Sequence, residues 1–115
     1  MPDNFNKEKA KKIVFSIIKQ GFIIDSFLRE GQSEYGKPSI NQGNLSIKGE
    51  LVVGVVKSAG NEELKYKLFN DIDTWLMQSK IPLYKDLDTF TIFLFNKKIK
   101  VSLVVKEAKF TLKVS

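Results

Sequence analysis

The stretch from Phe90 to Ser115, FTIFLFNKKIKVSLVVKEAKFTLKVS, decides the fold. Ile99, Val101, Leu103 and Val105 alternate with Lys98, Lys100, Ser102, Val104 and Lys106. Phe110, Leu112 and Val114 alternate with Lys109, Thr111, Lys113 and Ser115. A period of two is the signature of a strand with one buried face. A two-residue turn at Asn96-Lys97 pairs Phe95 with Lys98 and Phe93 with Lys100. A second turn, at Glu107-Ala108, pairs Lys106 with Lys109 and Ser102 with Lys113. Both registers put the apolar residues of all three strands on one face, including Phe90, Ile92 and Leu94. A one-residue slip in one strand would destroy that agreement. The last third of the chain is therefore an antiparallel three-stranded meander.

Upstream, Leu64, Leu68, Ile72, Trp75 and Leu76 recur at helical spacing, with Phe69 alongside. Asn61 suits the cap of this helix, Glu62 and Glu63 suit its first turn, and Lys80 and Pro82 suit its end. Leu45 to Lys57 reads as one strand or a bent pair, with Leu45, Ile47, Leu51, Val53 and Val55 on one face and bends at Gly49 and Gly54. Glu30 to Asn44 is rich in glycine, serine, asparagine and glutamine, and reads as a long polar loop. A first helix is marked by Ala10, Ile13, Val14, Ile17 and Ile18, with Asn6 as its cap and Phe5 positioned to staple onto Ala10. Gly21 is a natural stop for it. Phe22 to Arg29 fits helix or strand, and the glycine break tips the reading toward strand. The expected fold class is α+β: a single domain over residues 1–115, in the order α-β-β-α-β-β-β, with the C-terminal meander packed on helices.

Composition narrows the chemistry. The chain has neither cysteine nor histidine. Disulfides, thiolate metal sites, iron–sulfur clusters and cysteine nucleophiles are excluded, as is any Ser-His-Asp arrangement. The longest early apolar run, Ile13 to Ile18, is interrupted by Ser16 and stopped by Lys19, too short for a membrane span. No membrane partner and a cytoplasmic setting are expected.

Net charge is +6, carried almost wholly by lysine, with Arg29 the lone arginine. Lysine attracts phosphate as a point charge, whereas arginine is the usual bidentate reader of base edges. The surplus sits at the two ends: Lys7, Lys9, Lys11, Lys12 and Lys19 near the start, and Lys97, Lys98, Lys100, Lys106, Lys109 and Lys113 near the finish.

Three motifs invite chemical readings, and each has a plainer account. Gly31 to Lys37, GQSEYGK, has the glycine and lysine spacing of a phosphate-binding loop. Pro38 stands where a magnesium-binding hydroxyl is required, no helical pattern follows, and Glu34 brings the wrong charge. Asp88 with Glu107-Ala108-Lys109 has the spacing of a metal-dependent nuclease site, but Glu107 falls in an exposed hairpin turn. Asp71 and Asp73 diverge around a helix, and Asp86 and Asp88 read as solubilising turn acids. No metal or other cofactor is expected, and no catalytic role is assigned.

The outer face of the meander carries Lys98, Lys100, Lys106, Lys109 and Lys113, with Phe93 and Phe95. Lysines attract phosphates and open aromatic rings stack bases. The leading expectation is a non-enzymatic basic protein that binds nucleic acid, single-stranded or nonspecifically, through these residues. The alternative is a protein-interaction module: an adaptor, a complex subunit or a small inhibitor of the phage type. It would act through the 30–44 loop or a sheet edge. Homodimerisation through an edge is compatible with either reading.

Overall fold

A computed structural model describes residues 6–28, 38–50, 61–86, 89–107 and 109–115. Helix α1 spans Lys7–Leu28. A short hairpin follows, of β1 (Ser39–Asn41) and β2 (Ser46–Glu50). Helix α2 spans Asn61–Gln78. The chain then runs through β3 (Leu83–Asp86), β4 (Thr89–Leu94), β5 (Lys97–Lys106) and β6 (Lys109–Val114). The strands form one antiparallel sheet in the order β1-β2-β6-β5-β4-β3. The α+β class, with the C-terminal strands packed on helices, is as the sequence indicates. Among the described residues there are two helices, and the order has one strand more than expected, α-β-β-α-β-β-β-β.

Helix α1 starts where its cap predicts. The Lys9 N–H donates to Asn6 Oδ1 at 2.9 Å, and the Ala10 N–H donates to the Asn6 carbonyl at 3.2 Å. Phe5 lies outside the described residues. The Glu8 carboxylate pairs with Lys11 at 3.2 Å, one residue short of the Lys12 partner that an i,i+4 spacing suggests. The helix does not stop at Gly21 but continues to Leu28, so residues 22–28 are helix and not strand.

The reason is tertiary. A Cβ at Gly21 would lie 2.1 Å from Trp75 Cδ2 on α2, so this glycine lets two helices meet rather than ending one. Phe22, next in the chain, packs edge-on to Trp75 at 4.8 Å and stacks on Phe110 of β6 at 5.0 Å. Phe110 in turn lies over Gly49 of β2, where a Cβ would come within 2.6 Å of the ring. Three rings thus pack in series between two glycines, joining both helices to the sheet.

Helix α2 buries the predicted stripe of Leu64, Leu68, Ile72 and Leu76, with Phe69 and Trp75 partly buried against the core. It is terminated just past Gln78 by Lys80, whose φ of 60° is left-handed. The Ile81 N–H reaches back to the Leu76 carbonyl at 2.9 Å and the Lys80 N–H to that of Met77 at 2.9 Å, which satisfies two terminal carbonyls. Pro82 then prevents continuation.

Two local expectations change. Residues 39–41, within the expected polar loop, form β1, and Asn41 Oδ1 accepts from the Asn44 N–H at 3.0 Å to tighten the turn. The expected strand from Leu45 to Lys57 is β2 as far as Glu50; residues 51–57 and the rest of the polar loop, 30–37, lie outside the described residues.

The meander register is partly as predicted. Lys106 pairs with Lys109 and Ser102 with Lys113. The first turn is at Phe95-Asn96 rather than Asn96-Lys97, so Phe93 faces Lys98 and Leu94 faces Lys97. Both turn residues take left-handed φ, 51° and 63°, as a two-residue hairpin loop with the sheet's own twist requires. Moving the turn by one residue moves the pairing by two, so every side chain that remains in a strand keeps its predicted face, while Phe95 leaves the strand for the turn. The buried part of the inner face is apolar: Phe90, Ile92, Ile99, Val101, Leu103, Val105, Phe110, Leu112 and Val114 belong to the core, while at its margin Lys85 lies over the Tyr66 ring of α2 at 3.5 Å.

Candidate functional site

The face of the sheet turned away from the helices is the candidate site. Its composition follows from strand alternation: each residue beside a buried one points outward. Among the described residues no helix or strand covers it. The pairing registers arrange it in rows across the strands. The first row is Phe93 and Lys98; the second is Tyr84, Thr91 and Lys100. The third runs Asp86, Thr89, Ser102, Lys113, Ser46 and Asn41. Val104, Thr111, Lys48 and Ser39 make the fourth, and Lys106, Lys109 and Glu50 the fifth.

All five predicted lysines lie on this face and are exposed: Lys98, Lys100, Lys106, Lys109 and Lys113. Lys48 on β2 joins them. The sequence held the signal for it, since Lys48 follows the buried Ile47 by one residue. The charge is not uniform. Glu50 lies 3.8 Å from Lys109 and partly neutralises the fifth row. Among the described residues no carboxylate is paired with Lys98 or Lys100.

The two predicted rings part company. Phe93 sits on β4 as expected and is 52% exposed. Phe95 is equally exposed but stands in the turn, beyond the end of the face. Its place in the strand surface is taken by Tyr84 on β3, 57% exposed and edge-on to Phe93 at 6.0 Å. Tyr84 and Phe93 are diagonal neighbours, because Tyr84 pairs with Thr91. Sequence reasoning missed Tyr84 because it missed β3.

A shallow hollow of about 390 Å³ lies where β1 stops at Ser39 and β2 runs on to Glu50, bounded by Lys48, Lys109 and Thr111. Phe110 also lines it, whereas Tyr84, Phe93 and Phe95 do not.

The three motifs given plainer accounts lie only partly within the described residues. Glu107 is a turn residue with φ of 54°, and Asp71 is paired with Lys67 at 3.2 Å on α2. Residues 31–37 and Asp88 lie outside the described residues. Among the described residues no three acids gather to hold a metal, and no polar or charged side chain is buried. No described helix is long and apolar enough to cross a membrane.

The face offers long flexible cations, two exposed rings and small hydroxyls on one side of the sheet. No protein-family model matches the chain, and no curated protein or solved structure is significantly similar to it.

Proposed function

We propose that this protein is a non-catalytic, cytoplasmic nucleic-acid-binding domain that uses the outer face of its sheet. One observation carries the reading: Lys48, Lys98, Lys100, Lys106, Lys109 and Lys113, drawn from three strands, share one face that no described element covers. Each strand presents its lysines because the alternate residues are committed to the core, so the charge is held in fixed rows. A polyanion laid on this face releases its counterions to solvent, which supplies affinity without base reading. The shortage of arginine fits a binder of little sequence preference.

The test is fluorescence anisotropy with labelled oligonucleotides at two ionic strengths, about 50 and 200 mM. If four to six phosphates are neutralised, the logarithmic salt slope is about −3 to −5. Binding indifferent to salt, or unaltered when Lys98, Lys100 and Lys113 become alanine, overturns the proposal. A protein-interaction module is the second reading. It is favoured by the two sheet edges, since β1 and β3 each pair with a single strand among those described. A stable stoichiometric protein complex, with no oligonucleotide binding at the lower salt, would establish it.

A further inference from the structure

The outer face is divided, and the division bears on which nucleic acid it takes. Its rings lie on β3 and β4, as Tyr84 and Phe93. Its cations lie beside them on β5 and β6, as Lys98, Lys100 and Lys113. Phe93 is directly opposite Lys98, and Tyr84 shares a row with Lys100, separated by the small Thr91. Neighbouring strands are about 4.8 Å apart, so each ring lies one or two strand spacings from a lysine stem. A nucleotide has the same two parts at similar separation: a charged phosphate and a flat base.

We infer that the Tyr84–Phe93 corner is a base-stacking platform for single-stranded nucleic acid, whose backbone follows Lys98, Lys100 and Lys113; this rests on the nucleic-acid reading above. Three observations favour a single strand over a duplex. A duplex keeps its bases inside and presents only phosphates to a flat surface, which leaves two exposed rings without a partner. The six-stranded face, about 24 Å across its strands, is too broad for a major groove of about 12 Å. The ring planes are inclined at 67°, so a base stacked on one ring meets the edge of the other and is held from two directions. The acidic groups of the face, Asp86 and Glu50, stand in the third and fifth rows, away from the first two where both rings sit.

The experiment compares a labelled oligothymidine strand with a duplex of equal length, on the native chain and on Tyr84→Ala, Phe93→Ala and Tyr84→Phe. Circular dichroism melts confirm that each variant folds, as expected for half-exposed positions. The native chain should bind the single strand at least about tenfold more tightly than the duplex. Each alanine variant should weaken single-strand binding by roughly five- to a hundredfold while leaving the salt slope unchanged, since stacking is not electrostatic. Tyr84→Phe should bind as the native chain does. Equal affinity for both forms, or alanine variants that bind the single strand undiminished, overturns the platform while leaving the charge-driven reading intact. No binding of either form at low salt removes both.

Discussion

The two faces of β5 share one backbone and have opposite roles. Ile99, Val101, Leu103 and Val105 are buried on the inner side, while Lys98, Lys100, Val104 and Lys106 are exposed on the outer. Among the described residues no polar side chain is buried on the inner face. The outer face places almost no demand on the fold. Alternation lets one strand meet both requirements, because neighbouring residues never compete for the same environment. Stability and binding should therefore separate cleanly between odd and even positions of this strand.

The harshest way to break the comparison is to put a charge on the wrong side. Leu103→Asp strands a carboxylate among Leu112 and its neighbours, and the chain should lose its cooperative melt altogether. Phe110→Ala removes the ring stacked on Phe22 and should cost about 3–5 kcal/mol in denaturant unfolding. Gly21→Ala adds one methyl group against the Trp75 ring and should cost about 1–3 kcal/mol, although alanine is otherwise the better helix former. On the other side, replacing Lys98, Lys100 and Lys113 by alanine should change stability by no more than about 0.5 kcal/mol at each position. The same triple change should flatten the salt slope of oligonucleotide binding by about 2 to 3. The smallest effect on binding is expected at Phe95→Asn: asparagine tolerates the left-handed turn better than phenylalanine, so the turn should still form and oligonucleotide affinity should be nearly unchanged. A large loss of affinity would show that the turn belongs to the binding surface.

Much of this division was legible in the sequence, and what was not has physical causes. The inner and outer sets of β5 and β6 follow from alternation alone, as does the α2 stripe. The position of the Phe95-Asn96 turn does not, because a two-residue change of pairing leaves every side chain still in a strand on the same face. Gly21 was misleading because one residue type serves two purposes, ending a helix or admitting a neighbour. Only the position of Trp75, 54 residues further on, decides between them. Strand β3, with the sequence Leu-Tyr-Lys-Asp, is four residues long and acquires its identity from β4. Missing β3 cost the candidate site Tyr84, while the lysines were found because their strands announce themselves.

The sheet order has a consequence for how the protein is made. The β1–β2 hairpin reaches the rest of the sheet only through β6, the latest strand in the chain. At ordinary synthesis rates of about 5–20 residues per second, β2 waits several seconds for the strand that will cover its edge. During that interval Ile47 has no Leu112 beside it and Gly49 has no Phe110 above it. The nascent chain therefore passes through a period in which an open strand edge and an unfilled core face are both available to other molecules. The opposite edge of the hairpin, β1, is only three residues long, which limits how much a wrong strand could grip on that side.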